Sequence, residues 1–204
     1  LSKIYENISG IKIGLQYITQ NSANDIKELK KFNKPIFYDG KFFDIKNTLV
    51  ESVKSLKNLG VSYATVHLLN GLDALKAANK VANDINIKLL GVSILTSFGN
   101  EDLKQLGFKN QVEEQVLRLI KIADQANLYG VICSPLEIKM IKKIAPNLKC
   151  FTPGIRKDKD KDDQKRTMSA KQALEAGSDC LIIGRPITKG DPKKNIQEIL
   201  SSLN

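Results

Sequence analysis

The sequence predicts an α/β protein of the (β/α)8 TIM barrel type, in which parallel strands are covered by helices. Seven short apolar runs alternate with segments whose apolar residues recur at helical spacing. The runs are nearly continuous in apolar residues, which is typical of strands buried on both faces of a parallel sheet. No G-x-G-x-x-G follows any of them, and this disfavours the open, doubly wound sheet.

The strand segments are short apolar runs, several of them introduced or followed by Pro or Gly. Pro35, for example, ends the loop that leads into the second run. The predicted strands are 11–14, 36–38, 63–67, 88–95, 130–134, 150–153 and 180–185.

The helical segments carry apolar residues every three or four positions, and Gly60 and Gly177 supply C-terminal stops for two of them. The predicted helices are 25–31, 49–59, 72–84, 112–123, 140–144, 170–176 and 196–203. A closed barrel needs eight strands, and the chain opens at Leu1 on what reads as the tail of a helix. We therefore expect one barrel domain over residues 1–204, with its first strand upstream of this sequence.

Composition limits the function classes. Lys and Arg number 32 against 22 Asp and Glu, but the lysines are spread over many helices, so a nucleic-acid surface is disfavoured. Cys133, Cys150 and Cys180 form no C-x-x-C pair, which leaves a metal site unsupported and fits reduced thiols in a cytoplasmic protein. No apolar run is long enough to span a bilayer, and no signal peptide is visible.

The second strand carries the strongest candidate site. Asp39 and Lys41 are two residues apart, so a regular strand would direct both side chains to one face. Asp44 follows just past the strand end, and Asn47 or Thr48 is placed to cap the next helix. Acid, base and acid are therefore expected to cluster at one strand terminus. A D-x-K pair taken alone is more often a structural ion pair, so a functional role has to be judged from the rest of the chain.

The position of the other polar residues supports a site. In (β/α)8 barrels the functional residues lie at the C-terminal ends of the strands, with phosphate commonly bound after strands seven and eight. Polar side chains at or just past predicted strand ends are Lys12, Asp39, Lys41, His67, Thr96, Ser97, Ser134, Arg156 and Arg185. The only histidine, His67, is interpreted as a hydrogen-bonded strand-end residue rather than as a base.

A signature at 39–48 and six later blocks carry a resemblance to a known family. The stretch D-G-K-F-F-D-I-K-N-T at 39–48 resembles the D-x-K-x-x-D-I-x-N-T signature of orotidine 5'-phosphate decarboxylase. Later blocks agree in order: VH at 66–67, LTS at 95–97, VICS at 131–134, TPGIR at 152–156, DQKR at 163–166 and IGRP at 183–186. The similarity runs from about residue 11 to the C-terminus.

The resemblance implies conversion of orotidine 5'-phosphate to UMP and CO2 without cofactor or metal, in a homodimer with sites at its interface. It implies a charged array of Lys12, Asp39, Lys41 and Asp44, with Lys41 as the proton donor. Asp44, Ile45 and Thr48 would serve the neighbouring subunit's site. Further substrate contacts implied by the family are Thr96, Pro153, Arg156, Gln164, Gly184 and Arg185.

A few positions depart from the family pattern. Phe43 and Lys46 stand where many bacterial members have His and Pro, and Gly40 between the paired charges is unusual. Residues 68–71 replace a loop of small residues. The family's first-strand Asp, a ribose contact, has no counterpart in this sequence. Glycine weakens a strand, so Gly40 is expected to make the strand less stiff beside the charged pair.

The segment 157–166 is the densest run of charge in the chain. Such a run is by default a solvated surface segment. If the first barrel strand lies upstream, however, this loop follows strand seven of the barrel, and a long loop in a compact barrel is often an active-site lid. The match of Gln164 to the family favours the lid hypothesis.

Three other functions remain open. A magnesium-dependent sugar-phosphate decarboxylase or aldolase of the same barrel superfamily would need extra carboxylates on neighbouring strand ends, which the strands ending at His67 and Thr96 do not offer. A basic nucleic-acid-binding protein would cluster Lys, Arg and aromatic residues, whereas this chain has no tryptophan. A barrel that has lost its activity is disfavoured by the intact charged set.

Overall fold

The computed structural model describes residues 1–156 and 166–203, and its contacts group these residues into two compact units. The first unit comprises Leu1–Val92 with Gln125–Tyr129, and the second comprises Ser93–Asp124 with the chain from Gly130 onwards. The predicted α/β class is confirmed, because every paired strand is parallel and helices separate the strands. The prediction of a single domain stays a prediction.

In the first unit, four strands pair in chain order. They are β1 (Ile11–Gly14), β2 (Ile36–Phe42), β3 (Tyr63–His67) and β4 (Lys88–Val92). The register places Gly14 opposite Asp39 and His67 opposite Val92. The carboxyl ends of all four strands therefore lie at one edge, and that edge carries the charged residues of β2.

The helices of the first unit are α1 (Leu15–Gln20), α2 (Ala23–Glu28), α3 (Lys46–Ser55) and α4 (Leu72–Asp84). Helices α3 and α4 pack against each other, and each buries one apolar stripe. In α4 the stripe includes Leu75, Ala78 and Ala82, three or four residues apart and fully buried. Gly60 ends the helical segment after α3 at a φ of 71°, a left-handed conformation that glycine adopts without steric cost.

The second unit contains the three parallel strands β5 (Gly130–Ile132), β6 (Lys149–Thr152) and β7 (Cys180–Leu181). A side chain at Gly130 would place its Cβ 2.3 Å from the carbonyl oxygen of Lys149, so only glycine fits at the start of β5. The helices of this unit are α5 (Asn100–Gln105), α6 (Val112–Gln125), α7 (Ile138–Ile144), α8 (Ala170–Glu175), α9 (Arg185–Thr188) and α10 (Pro192–Ser201).

All seven predicted strands are found, but several boundaries differ. The last strand was expected to reach Arg185 and instead ends at Leu181, with Arg185 beginning α9. The predicted cap at Asn47 or Thr48 is wrong, because α3 begins at Lys46 and Ile45 occupies its N-cap without a side-chain hydrogen bond. The short helices α1, α5 and α9 were not predicted, because each buries at most one residue and therefore shows no apolar stripe.

Within the described ranges, no helix combines the length and the apolar character needed to cross a bilayer.

Candidate active site

Asp39 is the centre of a buried charged cluster in the first unit. Its carboxylate accepts a hydrogen bond from Lys41 Nζ at 2.9 Å and another from Lys12 Nζ at 3.3 Å. The Asp39 side chain is only 13% exposed, whereas the two lysine side chains are about one-third exposed. One buried acid thus holds two ammonium groups at the edge where the strands end.

The pKa of Asp39 reports the balance of these contacts. Burial pushes this pKa upwards, but the charges of Lys41 and Lys12 and the hydrogen bonds from Lys41 and Thr65 outweigh it. The net result is a pKa below the ordinary value for Asp, so Asp39 is ionised at neutral pH.

Thr65 completes the cluster, and sequence reasoning missed it. Its buried hydroxyl donates to Asp39 Oδ1 at 3.1 Å and accepts from the backbone N–H of Lys41 at 2.8 Å. One side chain therefore orients the acid and fixes the backbone of the base. The available signal was a threonine inside an apolar strand, two residues before His67 and hence on the same face.

The backbone of β2 is irregular at the charged pair. Pairing with β3 shifts register between Tyr38 and Phe42, and Lys41 has a φ of 48°, in the left-handed region. Asp39 and Lys41 do contact each other as predicted, but through a bulged strand rather than by simple alternation. The same irregularity explains Gly40, because a Cβ there would lie 2.7 Å from the ring of Tyr38.

Asp44 lies outside the cluster of its own chain. Its carboxylate accepts from the N–H of Ile45 at 2.7 Å, and no ion pair joins it to Lys12 or Lys41 in the described part of the chain. The expected cluster of two acids and one base is therefore not found; instead, the acid Asp39 lies between the bases Lys12 and Lys41. Ile45 and Thr48, predicted with Asp44 to serve a neighbouring subunit, are likewise exposed on this loop and the start of α3.

A second missed residue, Asn70, holds this loop to β3. Its amide nitrogen donates to the carbonyls of Phe42 at 2.9 Å and His67 at 2.7 Å, and its amide oxygen accepts from the N–H of Asp44 at 3.1 Å. The position had been noted only as part of a departure from the family pattern.

His67 behaves as a strand-end residue. Its Nδ1 accepts from the N–H of Leu69 at 3.3 Å, and its ring lies 5.5 Å from that of Phe43. Burial, and after it the charge of Lys41, lower the pKa of His67 below the usual value, so the imidazole is neutral at neutral pH.

The second unit carries the remaining predicted substrate contacts. Thr96 lies in a turn after β4, and Pro153 follows β6. The backbone N–H of Arg156 donates to the carbonyl of Met168 at 3.0 Å, and the Arg156 guanidinium donates to the carbonyl of Ile155 at 2.8 Å. Gly184 and Arg185 are exposed at the start of α9. Gln164 lies outside the described residues, as does the predicted lid at 157–166 apart from its last residue, Arg166.

A cavity of about 240 Å³ lies beside these residues. Its walls include Arg156, Lys171 and Glu198, as well as Ile183 and Pro186, the residues that flank Gly184 and Arg185. Lys171 was not singled out in the sequence. Within residues 1–156 and 166–203, no three His, Cys, Asp or Glu side chains group as metal ligands would.

Parallel α/β architecture with a buried carboxylate–ammonium cluster at the strand ends defines a protein of the barrel-enzyme class, in which such residues perform chemistry. The family can also be stated. The model of the orotidine 5'-phosphate decarboxylase / HUMPS family matches residues 1–199, and the chain belongs to that family.

Individual relatives agree with this assignment. The chain is 40% identical over 200 residues to orotidine 5'-phosphate decarboxylase of Wolbachia pipientis subsp. Culex pipiens, covering 97% of this chain and 88% of the relative. It is 40% identical over 209 residues to that of Prochlorococcus marinus strain MIT 9215, covering 97% and 86%.

A solved structure confirms the predicted fold class. The crystal structure of orotidine 5'-phosphate decarboxylase from Lactobacillus acidophilus superposes with a TM-score of 0.82 at 34% identity, covering 95% of this chain and 86% of that one.

Proposed function

We propose that this protein decarboxylates orotidine 5'-phosphate to UMP and CO2, as a step of pyrimidine biosynthesis, and that it needs neither metal nor cofactor. The observation that carries the proposal is the cluster of Lys12, Asp39 and Lys41, ordered by Thr65, in a chain of the orotidine 5'-phosphate decarboxylase family.

The chemistry requires negative charge to be stabilised on carbon. When the bond between the pyrimidine ring and its carboxylate breaks, the electron pair stays on a ring carbon that has little resonance relief. Lys41 places an ammonium at the strand end, held by Asp39, where it stabilises that charge and then transfers its proton to the carbon. CO2 leaves, UMP forms, and Lys41 regains a proton from water.

Asp39 has two roles in this scheme. As an ionised, buried acid it orients both lysines, so that their geometry is set before substrate binds. It also lies near the position of the departing carboxylate. Repulsion between the two anions raises the energy of bound substrate and is relieved as CO2 leaves.

The phosphate is assigned to the second unit. Arg156, Gly184 and Arg185 are at or beside the cavity described above, where guanidinium groups and exposed backbone N–H groups suit a phosphate. Thr96 and Pro153 are assigned to the pyrimidine and its surroundings, and Gln164 is assigned to the phosphate as well. Binding energy from the phosphate would then be used to hold the ring in a reactive position.

Replacement of the proton donor tests the chemistry. We expect Lys41→Ala to abolish turnover of orotidine 5'-phosphate, followed by the loss of its ultraviolet absorbance, while UMP binding is largely kept. Lys54→Ala is the matched control, because Lys54 pairs with Glu51 on the exposed face of α3. Normal turnover by Lys41→Ala would show that Lys41 is not the proton donor.

Metal independence needs its own measurement. We expect wild-type turnover to be the same with and without EDTA. A turnover lost with EDTA and restored by magnesium would favour the metal-dependent sugar-phosphate branch of the barrel superfamily.

We further propose that the enzyme is a cytoplasmic homodimer. Phe43 and Ile45 on the β2–α3 loop are 62% and 74% exposed, and Leu69 is 40% exposed. An open groove of about 450 Å³ beside them is lined by Asp44, Ile45 and residues 70–74. Apolar side chains exposed next to a groove suit contact with a second copy. The three cysteines are free, as in a reducing compartment.

Mixed dimers test whether sites are shared. If Asp44 serves the neighbouring site, mixing inactive Lys41→Ala with inactive Asp44→Ala should restore about a quarter of wild-type turnover, because half of the dimers then carry one intact site. No restoration would place Asp44 in its own subunit's site. For the interface, Ile45→Glu should give a monomer by light scattering, whereas Leu106→Glu, 60% exposed in the second unit, should not.

A further inference from the structure

Arg166 is the last residue of the DQKR block and of the predicted lid, and it has contacts that neither the block nor the cavity explains. Its side chain is 14% exposed and forms an ion pair with Glu137 through Nη1. Its Nη2 donates to the carbonyl of Leu95 at 3.1 Å and approaches that of Ile94 at 3.4 Å. The guanidinium thus joins a buried acid to the backbone of residues 94–95.

The carbonyl of Leu95 is also the closing acceptor of a turn. It accepts the N–H of Phe98 at 2.9 Å, and Thr96 and Ser97 are the two residues enclosed. Arg166 and Phe98 therefore share one oxygen, and the conformation of the turn depends on both. Thr96 is the residue that the proposed function places at the pyrimidine.

Glu137 fixes the other side of Arg166. It is 2% exposed, lies in the 3-10 turn after β5, and its second oxygen accepts the N–H of Ser134 at 2.9 Å. Burial keeps the pKa of Glu137 above its ordinary value, although the charge of Arg166 and the N–H of Ser134 lower it. A carboxylate this buried needs its cation in place.

We propose that Arg166 is a positioning residue for the decarboxylation, holding the Thr96 turn in its working conformation by bracing it against Glu137. The inference rests on the proposed function. It also explains the residue type: a planar guanidinium bonds an acid and a carbonyl in fixed directions at once, which a lysine cannot do.

Kinetics of two arginine variants test the proposal in the purified protein. Arg166→Met should lower kcat/KM for orotidine 5'-phosphate by about tenfold or more, and Arg166→Lys should lie between it and wild type. Arg118→Met is the matched control, because Arg118 pairs with Glu114 on the exposed face of α6 in the same unit. Circular dichroism checks that each variant is folded.

A double-mutant cycle separates positioning from general stabilisation. If Arg166 acts through the turn, Thr96→Ala should cost much less in the Arg166→Met background than in wild type, at most about a third of the original factor. If the factors by which the two substitutions lower kcat/KM simply multiply, the proposal is wrong. It is also wrong if Arg166→Met is folded and as active as Arg118→Met. An inert Thr96→Ala would overturn it too. If Arg166→Met does not fold, the cycle is run with Arg166→Lys under the same criterion.

Hydrogen exchange tests whether Arg166 anchors the turn, and this test does not depend on turnover. If wild type shows no turnover of orotidine 5'-phosphate, the proposed function fails, and the anchoring is then judged from the amide of Phe98. Arg166→Met should speed exchange at that amide by about tenfold relative to Arg118→Met, because the turn opens more often. Unchanged exchange would overturn the anchoring itself.

Discussion

Thr65→Val removes one hydroxyl from the centre of the charged cluster and little else. Valine has nearly the same shape, so any effect comes from two lost hydrogen bonds, at 3.1 Å to the Asp39 carboxylate and at 2.8 Å from the Lys41 N–H. A bond to a charged group contributes about 1.5–3 kcal/mol and a neutral one about 0.5–1.5 kcal/mol. Because the Lys41 backbone is only partly buried, we expect the free energy of unfolding to fall by about 2–3 kcal/mol.

Activity should fall as well. Without the hydroxyl, neither the acid nor the backbone of the base is held, and we expect kcat/KM to drop by about ten- to a hundredfold. Because the Thr65 hydroxyl also lowers the pKa of Asp39, the acid limb of the pH–rate profile should move to higher pH.

Urea unfolding and steady-state kinetics measure both effects. Thr19→Val is the control, because the Thr19 hydroxyl is exposed and bonds only to carbonyls of its own helix. The control should change the free energy of unfolding by less than about 0.5 kcal/mol. If Thr65→Val behaves like it in both assays, the hydroxyl does not organise the cluster.

Three further predictions follow from the same region. His67 is the only histidine in the sequence, so NMR follows its titration without overlap. The midpoint of that titration should lie below the usual value of about 6.5 and should rise in Lys41→Ala. An unchanged midpoint would mean that the Lys41 ammonium does not face the His67 ring. Gly40→Ala should destabilise by about 1–3 kcal/mol, since its Cβ would meet an aromatic ring at 2.7 Å, and a free energy of unfolding equal to that of wild type would contradict this. Because the pKa of Asp39 is lowered on folding, the stability it contributes is complete above the unfolded-state pKa and is lost as pH falls through the folded-state pKa. Melting temperatures of wild type and Asp39→Asn should therefore converge at acid pH, and a constant gap would contradict this.

The sequence predicted the strands well because apolar runs and their spacing are local signals. All seven were found, as was the helix over Leu72–Asp84. The end of the last strand was misjudged because Ile182 and Ile183 are as apolar as a strand, although β7 ends at Leu181 and, in the described part of the chain, only the N–H of Ile182 still bonds to β6, at the carbonyl of Thr152. Apolar character alone does not show where strand pairing ends.

The candidate site was predictable only in part. The motif located Asp39 and Lys41, but their contact depends on a register shift that no local pattern shows. Thr65 and Asn70 were missed because each orders the charged strand and its loop through hydrogen bonds to residues 24 or more positions away. Family motifs mark the groups that react, and the groups that hold them in place become visible only in three dimensions.

The left-handed backbone at Lys41 has a consequence for protein engineering. A residue with a Cβ loses about 1–2 kcal/mol at such a φ, whereas glycine does not. Lys41→Gly should therefore be more thermostable than Lys41→Ala by about 1 kcal/mol, although both are expected to be inactive. Among replacements of Lys41 that remove the ammonium, a screen on thermal tolerance alone would therefore favour glycine over alanine.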